Sequence, residues 1–267
     1  MRASEAIDRA ALTRELAATV REAGALALKW FKNPIKSWMK EGDSPVSEAD
    51  LAVDALLRER LAATGAADGW LSEETEDAPS RLIADRVWIV DPIDGTRAFL
   101  AHRDDWCVSV ALAEQGRPVL GAVYAPASDD LFLAAAGNGA THNGRPIAAT
   151  AGSALAHARV AGPDRRLARL APFGIVAEPK VHALALRVTR VAQGSLDIAL
   201  AGPNSSDWDL AAADLLVHEA GGALTTLAGE SLVYNRPKPK HSALFAAGRD
   251  RHQALSDLIR EGRVAFP

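Results

Sequence analysis

The stretch Arg86-Val-Trp-Ile-Val-Asp91-Pro92-Ile93-Asp94-Gly95-Thr96 decides how this chain is organised. The apolar residues before its first aspartate predict a short buried strand that ends where the carboxylates begin. Pro92 cannot donate to a β-ladder and Gly95 permits a tight backbone path, so Asp91 and Asp94 are delivered into one small space. In open α/β sheets, ligands bind at that end of a strand.

Two carboxylates held close together repel each other unless one is protonated or a cation lies between them. Oxygen ligands suit Mg²⁺, which commonly binds carboxylates together with a substrate phosphate. The free amides around Gly95 and Thr96 are suited to cradle a phosphate if a helix begins there. The alternative is an acidic turn that caps a helix, because caps and Asx turns are common. The aspartate pair alone leaves both interpretations open.

Length and composition are those of an ordinary globular protein. The 267 residues suffice for one large domain or two smaller ones, and 48% apolar with 24% charged residues is typical of a folded chain. The net charge of −4 argues against a broad basic surface. We therefore do not expect a nucleic acid polymer as partner.

The single cysteine and the N-terminus bear on the compartment. Cys107 alone rules out an internal disulfide and a cysteine-based zinc site. Because no His or Lys lies beside it, a buried structural thiol is favoured over a nucleophile. The N-terminus has no apolar signal region, and no run of about 18 apolar residues occurs. We expect a cytoplasmic protein without a membrane span.

The order of helical and strand patterns predicts an α/β (α+β) chain in two parts. Helical periodicity covers 4–32, and a second helix runs from an N-cap at Ser47 to about Ala63. Residues 105–136 predict an antiparallel meander, and strands alternate with helices after 159. A linker near Leu155 marks the boundary between the two predicted domains, which are an N-terminal α+β half with the metal-binding turn, 1–150, and a C-terminal α/β half that completes the active site, 151–267.

Further acidic residues lie at the ends of other predicted elements. Glu73 and Glu74 follow a strand-like apolar pair, and adjacent residues on a strand point to opposite faces. Only one of them is therefore expected to face the site, and Glu73 is assigned that position. Asp209 lies in the first turn of a helix apolar enough to be buried, so its carboxylate requires a partner.

Together these acids form a candidate cage for two Mg²⁺ ions; its members are Glu73, Asp91, Asp94 and Asp209. Two metals about 3.5 to 4 Å apart clamp the attacking and leaving oxygens of a phosphoryl displacement. Thr96 can accept a proton from a metal-bound water if a carboxylate polarises its hydroxyl, and Asp50 in the second helix is the candidate.

The motifs resemble those of the inositol monophosphatase superfamily of Mg²⁺-dependent, lithium-sensitive phosphomonoesterases. Their order and spacing agree over about residues 10 to 250. Haloacid-dehalogenase-like phosphatases separate their two acids by one residue, whereas Pro92 and Ile93 separate them here. The matching segments are Ser44-Pro45-Val46-Ser47-Glu48-Ala49-Asp50, Leu71-Ser72-Glu73-Glu74, Trp88-Ile-Val-Asp91-Pro92-Ile93-Asp94-Gly95-Thr96, Trp208-Asp209-Leu-Ala-Ala and Glu219-Ala-Gly-Gly222.

The resemblance implies a layered α-β-α-β-α sandwich of the inositol monophosphatase and fructose-1,6-bisphosphatase type, often a homodimer. It implies two or three Mg²⁺ ions, inhibition by Li⁺ and a small phosphorylated substrate. Lys40 is placed with the substrate-binding residues, and a solvated loop lysine is the alternative. The implied roles are metal ligation by Glu73, Asp91, the Ile93 carbonyl, Asp94 and Asp209; support of a metal-bound water by Glu74; phosphate binding by the Gly95 and Thr96 amides; and water activation by Asp50 and Thr96.

Branch-level features favour the 3′(2′),5′-bisphosphate nucleotidase (CysQ-like) branch, which acts on 3′-phosphoadenosine 5′-phosphate. The segments that suggest it are Val123-Tyr-Ala-Pro126, Leu71-Ser-Glu-Glu and Leu232-Val-Tyr234-Asn235. Inositol monophosphatases usually have Gly-Ser or Gly-Thr near Val181-His182-Ala183 and a Glu near Leu200-Ala-Gly-Pro203. The nucleotidase branch also usually has Gly-Ser at the first of these positions.

Three alternatives stay open from the sequence. The substrate alternative is inositol 1-phosphate, or sugar phosphates of broad range. A regulatory binding protein that keeps the fold is the alternative of another class, and the intact set of acids argues against it, because clustered carboxylates are costly to retain without metal. Lys238, Lys240 and His241 either meet a second phosphate or form a solvated basic loop.

Overall fold

The computed structural model describes residues 8–40 and 45–266. The predicted first helix therefore begins partly outside the described residues, as does the Ser44 position of the first matching motif. The helices are α1 (Arg9–Leu28), α2 (Glu48–Ala63), α3 (Thr96–Leu100), α4 (Asp164–Leu170), α5 (Leu184–Gln193), α6 (Asp207–Glu219) and α7 (Arg249–Arg260), with 3₁₀ turns at Pro79–Ile83 and Ala171–Phe173.

Sixteen short strands complete the described part of the chain. They are β1 (Ser37–Met39), β2 (Pro45–Ser47), β3 (Gly69–Ser72), β4 (Arg86–Asp94), β5 (Cys107–Glu114), β6 (Arg117–Ala125), β7 (Asp130–Ala135), β8 (Ala140–His142), β9 (Arg145–Pro146), β10 (Arg159–Ala161), β11 (Val176–Ala177), β12 (Ile198–Ala201), β13 (Ser205–Ser206), β14 (Gly222–Thr226), β15 (Lys240–His241) and β16 (Leu244–Gly248).

The strands form two main sheets. The first has seven strands in the order β3-β4-β5-β6-β7-β8-β9, and only its β3–β4 pair is parallel. The second has five strands in the order β11-β10-β12-β16-β14 and is mixed. The chain passes from the first sheet to the second between 146 and 159, next to the predicted domain boundary. The division into two domains stays a prediction.

Helices and sheets alternate in five layers, which confirms the predicted α-β-α-β-α sandwich. α1 and α2 pack on the outer face of the first sheet, and α5 and α6 lie between the sheets. α4 and α7 lie on the outer face of the second sheet. This middle position explains why α6 is apolar nearly all round, since both of its sides face a sheet.

The central strand is longer than the sequence predicts. The apolar pattern places its end before Asp91, but β4 continues to Asp94. Its pairing with β5 shifts between Asp91, opposite Ser109, and Asp94, opposite Cys107. Pro92 is accommodated in this bulge because a residue there has no ladder hydrogen bond to donate. The first helix also ends earlier than predicted, at Leu28 rather than at residue 32.

The predicted helix cap at Ser47 and the predicted burial of Cys107 can be compared with the structure. Ser47 caps α2 as predicted. Cys107 is fully buried, as expected for a structural thiol, and burial raises the pKa of its thiol. Within the described ranges, the helices are too short or too polar to cross a membrane.

We predict that Gly121→Ala destabilises the protein by about 1–3 kcal/mol, because a Cβ on this β6 residue would overpack the contact with α6. That atom would lie 2.9 Å from the carbonyl oxygen of Ala212. Gly202→Ala is the control, since a Cβ there meets nothing within 4 Å. Urea unfolding measures both. Equal free energies of unfolding for the two variants would contradict the close α6–sheet packing.

Candidate active site

The β4 bulge presents the central acidic turn. Asp91 is buried, and its Oδ1 accepts a hydrogen bond from the Ile93 amide at 3.1 Å. Gly95 adopts a left-handed φ of 90° and becomes the N-cap of α3. A Cβ at this position would lie 3.2 Å from the Asp105 carbonyl oxygen and 3.3 Å from Ala183, so both conformation and space favour glycine. The turn therefore places two aspartates, a carbonyl and first-turn amides together.

Acids from three elements meet at this turn. Glu73, Asp91 and Asp209 each offer a carboxylate oxygen, and these oxygens lie within 4.8 Å of one another. Asp209 comes from the first turn of α6, where its Oδ2 accepts the Ser206 amide at 2.7 Å. Three carboxylate oxygens this close together are a suitable donor set for a hard divalent cation. The structure thus brings together three of the four predicted cage residues.

Asp94 lies beside this trio with one oxygen turned towards α5. Its Oδ2 accepts the Ala185 amide at 2.6 Å, and the Cys107 thiol donates towards the same oxygen at 3.9 Å. Burial is the largest cause of the raised pKa of Asp94, about 8, and the charge of Asp209 adds to it. The assignment of Asp94 as a metal ligand stays a prediction, since the Ala185 contact occupies part of its carboxylate.

Burial and mutual repulsion together raise the pKa values of the central aspartates. For Asp91 the largest cause is burial, followed by the charges of Glu73 and Asp94. For Asp209 burial again comes first and the charge of Glu73 adds to it. Ionised side chains in this position need a counter-cation. The oxygen-only donor set and the raised pKa values both fit a bound divalent metal.

A threonine–aspartate pair lies next to the acidic cluster. The Thr96 hydroxyl lies 3.0 Å from Asp50 Oδ1 and 3.1 Å from the Ile93 carbonyl oxygen. Asp50 is 1% exposed, and its Oδ2 accepts both the amide and the hydroxyl of Ser47 in the capping box of α2. Burial is the largest cause of the raised pKa of Asp50. The pair predicted for water activation is therefore in contact across 46 residues of sequence.

Lys40 lies inside the site rather than in solvent. Its Nζ forms ion pairs with Glu73 Oε1 at 2.9 Å and with Glu74 Oε1 at 2.8 Å. The alternative of a solvated loop lysine is therefore wrong. The expectation that Glu73 and Glu74 point to opposite faces is also wrong, because β3 ends at Ser72 and strand alternation ends with it. Burial raises the pKa of Glu74 to about 7, although Lys40 opposes the shift.

The residues of the basic loop near 238–241 differ in environment, and neither the second-phosphate site nor the solvated loop describes all of them. Lys238 is exposed, as a solvated loop residue is. His241 is buried and pairs with Asp207 at 2.7 Å, so neither phosphate contact nor solvation describes it. Lys240 donates to the Ser206 hydroxyl at 2.8 Å and lies 5.7 Å from the centre of the Trp208 ring. Lys240 lies close enough to Asp209 for its charge to oppose the rise in the pKa of that carboxyl group.

Sequence reasoning missed Arg187, a buried arginine on α5. Burial lowers the pKa of its guanidinium, while Asp94 and Asp209 raise it. Among the described residues, its buried Nε has no hydrogen-bond partner. A charged residue within a helix whose other residues are mostly buried is the signal that the sequence offered. The guanidinium is a buried cation close enough to Asp94 and Asp209 for their charges to act on it.

Comparison with known proteins agrees with this arrangement. The model of the inositol monophosphatase family matches residues 8–261. A histidinol-phosphatase of Mycobacterium tuberculosis is 38% identical over 199 residues, 70% of this chain and 75% of the relative. A 3′(2′),5′-bisphosphate nucleotidase CysQ of Aggregatibacter actinomycetemcomitans is 29% identical over 89% of this chain and 92% of its own length.

A solved structure shows the same fold. The extragenic suppressor protein suhB of Bartonella henselae superposes with a TM-score of 0.83 at 27% identity, over 94% of this chain and 99% of that one. The fold and site define a metal-dependent phosphatase, that is, a phosphoric monoester hydrolase. The chain belongs to the inositol monophosphatase family.

We predict that Asp91→Asn makes the metal-free protein more stable at pH 8 by about 1–3 kcal/mol. The raised native pKa means that metal-free wild-type protein loses stability as pH rises from about 4, the value in the unfolded chain, through the native pKa. The amide has no proton to lose, and its oxygen can still accept from Ile93.

Thermal unfolding in chelator at pH 5 and pH 8 measures this effect, and saturating Mg²⁺ should reverse the order because only the wild type keeps the full ligand set. A less stable metal-free Asp91→Asn protein at pH 8 would show that carboxylate repulsion does not dominate the site.

Proposed function

We propose that the protein hydrolyses small phosphate monoesters by a Mg²⁺-dependent attack of water on phosphorus. The observation that carries the proposal is the Thr96–Asp50 hydrogen bond of 3.0 Å at the end of the strand that presents Asp91. A polarised hydroxyl beside an oxygen-lined metal site is what activation of a water requires. The resemblance of the motifs supports the same assignment.

The residues of the site have separate roles in the proposed reaction. Asp50 accepts from Thr96 and orients the hydroxyl, which would take up a proton of the attacking water as its own proton passes to the Asp50 carboxylate. Glu73, Asp91 and Asp209, with Asp94 and the Ile93 carbonyl, are the groups that would hold the metals. Bound Mg²⁺ would lower the pKa of water and neutralise phosphate charge. The amides of Gly95, the N-cap of α3, and of Thr96, its first residue, would bind the phosphate.

Glu74 and Lys40 adjust the charge around this centre. The ammonium of Lys40 lies within 2.9 Å of both glutamates, so it balances part of their charge and is a candidate contact for the phosphate. Because carboxylate and carbonyl oxygens are the donors, small hard cations are favoured, which supports Mg²⁺ and competition by Li⁺. The homodimer and the cytoplasmic location stay expectations from the sequence.

We propose 3′-phosphoadenosine 5′-phosphate as the substrate because the site offers cations for a second anionic group. Arg187 is buried next to Asp94 and Asp209 with an unpaired Nε within the described chain, and guanidinium is well suited to phosphate. Lys240 adds a cation on the α6 side. The absence of a carboxylate in Leu200-Ala-Gly-Pro203 weakens the inositol 1-phosphate alternative.

Histidinol phosphate is the second candidate, since the histidinol-phosphatase relative is 38% identical to this chain. That substrate carries an ammonium group instead of a second phosphate. With that substrate, Arg187 would have Asp94 and Asp209 but no second phosphate as an anionic neighbour, and for this reason we place histidinol phosphate after the nucleotide.

We predict at least a hundredfold higher kcat/KM for 3′-phosphoadenosine 5′-phosphate than for inositol 1-phosphate or histidinol phosphate, about 2.7 kcal/mol of transition-state binding. Phosphate release at fixed Mg²⁺ measures the preference. Arg187→Met should remove most of this preference by raising KM for the bisphosphate alone, and Arg187→Lys should keep part of it.

A preference for histidinol phosphate or inositol 1-phosphate would replace the substrate assignment while leaving the chemistry intact. Release from none of the compounds would favour the regulatory binding protein. An Arg187→Met variant with unchanged KM for the bisphosphate would show that this arginine is structural.

We predict that Thr96→Val lowers kcat by about a hundredfold or more and leaves Mg²⁺ affinity within about twofold. Valine fills the same buried volume but removes the hydroxyl that joins Asp50 to the water. Steady-state kinetics at saturating Mg²⁺ and calorimetric Mg²⁺ titration separate the two effects. Loss of Mg²⁺ binding would mean instead that Thr96 acts on the metal site.

A further inference from the structure

Asp54 uses both of its carboxylate oxygens on the segment that carries the two active-site glutamates. It lies one turn after Asp50 on α2 and is 7% exposed. Its Oδ1 accepts the Ser72 hydroxyl at 2.5 Å, and its Oδ2 accepts the Thr75 hydroxyl at 2.7 Å. Ser72 and Thr75 are the residues that immediately precede and follow Glu73-Glu74. One carboxylate therefore accepts hydrogen bonds from both ends of the segment 72–75.

Each of these hydroxyls also accepts a second hydrogen bond. The Glu74 amide donates to Ser72 Oγ at 3.2 Å, and the Trp70 indole donates to Thr75 Oγ1 at 3.2 Å. A hydroxyl that accepts one bond while donating another has a fixed direction. The Glu73 amide is in turn fixed to the Val90 carbonyl oxygen on β4 at 3.3 Å. The backbone of the four-residue loop is thereby fixed on both sides of the glutamates.

The hydrogen bonds to Asp54 explain the position of Glu73 and Glu74. On a continuing strand they would point to opposite faces, but both contact Lys40 within 2.9 Å. Glu73 also reaches the oxygens of Asp91 and Asp209. The loop held by Asp54 is what separates this geometry from that of an extended strand.

We propose that Asp54 is a positioning residue for the metal site, which it controls through Ser72, Thr75 and the orientation of Glu73. The inference rests on the proposed function, because it assigns Glu73 to metal binding. Asp54 acts on metal occupancy rather than on the chemical step, since the loop contacts the metal carboxylates and not the Thr96 hydroxyl. Partners that orient a metal ligand typically change metal affinity by about 10–100-fold when removed.

Asp50 and Asp54 lie on one face of α2 and contact different parts of the site. Residues four apart on a helix lie on the same side. Asp50 bonds to Thr96 next to β4, and Asp54 bonds to the loop that follows β3. α2 thus sets the distance between the residue that activates water and the glutamate that holds metal.

The test compares Thr75→Val and Asp54→Asn with wild-type protein by calorimetric titration of Mg²⁺ in the absence of substrate. Thr150→Val is the matched control, because the Thr150 hydroxyl also donates to a carboxylate, that of Asp197 at 2.6 Å, but in the segment that leads into the second sheet. We expect about tenfold or weaker Mg²⁺ binding for Thr75→Val and Asp54→Asn, and wild-type binding for Thr150→Val.

Kinetics on the same proteins provide the second readout. The Mg²⁺ concentration for half-maximal phosphate release should rise with the dissociation constant, while kcat at saturating Mg²⁺ stays within about threefold of the wild type. The double variant should bind Mg²⁺ no more weakly than the weaker single variant, because both changes break the same connection.

Wild-type Mg²⁺ affinity in both variants, despite a lower melting temperature, would overturn the inference and leave Asp54 a purely structural residue. A large loss of kcat at saturating Mg²⁺ with unchanged affinity would also overturn it. Failure of the wild-type protein itself to bind Mg²⁺ or release phosphate would instead overturn the proposed function, so the two failures are distinguishable.

Discussion

Buried carboxylates that lie side by side repel each other, and the rest of this structure depends on how that repulsion is offset. Glu73, Asp91 and Asp209 bring oxygens within 4.8 Å of one another, and burial raises the pKa values of both aspartates. Without a cation such a group opposes folding, because the ionised forms are more stable in the unfolded chain. A divalent metal reverses the sign of this contribution, so stability and metal occupancy are linked.

The scaffold offsets part of the repulsion with the N-terminal ends of three helices. Asp50 and Asp209 occupy the same position in the capping boxes of α2 and α6, where each accepts the amide of its own N-cap serine. Asp94 accepts the Ala185 amide at the start of α5. Helix N-termini favour negative charge. α2 packs on the outer face of the first sheet and α5 and α6 on its inner face, so the acids meet only when helices from both faces pack on this sheet.

The sequence predicts the site better than it predicts the geometry that completes it. Acids at the ends of predicted elements can be recognised from the sequence, and the Thr96–Asp50 contact follows from the motifs. The expectation that Glu73 and Glu74 point to opposite faces was wrong, because the loop depends on hydrogen bonds that Ser72 and Thr75 donate to Asp54, 18 residues before Ser72. The extension of β4 to Asp94 was missed since a bulge absorbs Pro92. Arg187 was missed because its neighbours Asp94 and Asp209 come close only in the tertiary structure.

The central claim is that these carboxylates form a divalent metal site next to the Thr96–Asp50 pair. Anomalous X-ray diffraction from crystals soaked in Mn²⁺, which takes oxygen ligands as Mg²⁺ does, tests it most directly. The account predicts strong anomalous density bounded by Glu73, Asp91 and Asp209, with the Lys40 ammonium displaced from or shared with Glu73. Crystals that bind Mn²⁺ elsewhere, or that show no density among these three side chains, would contradict it.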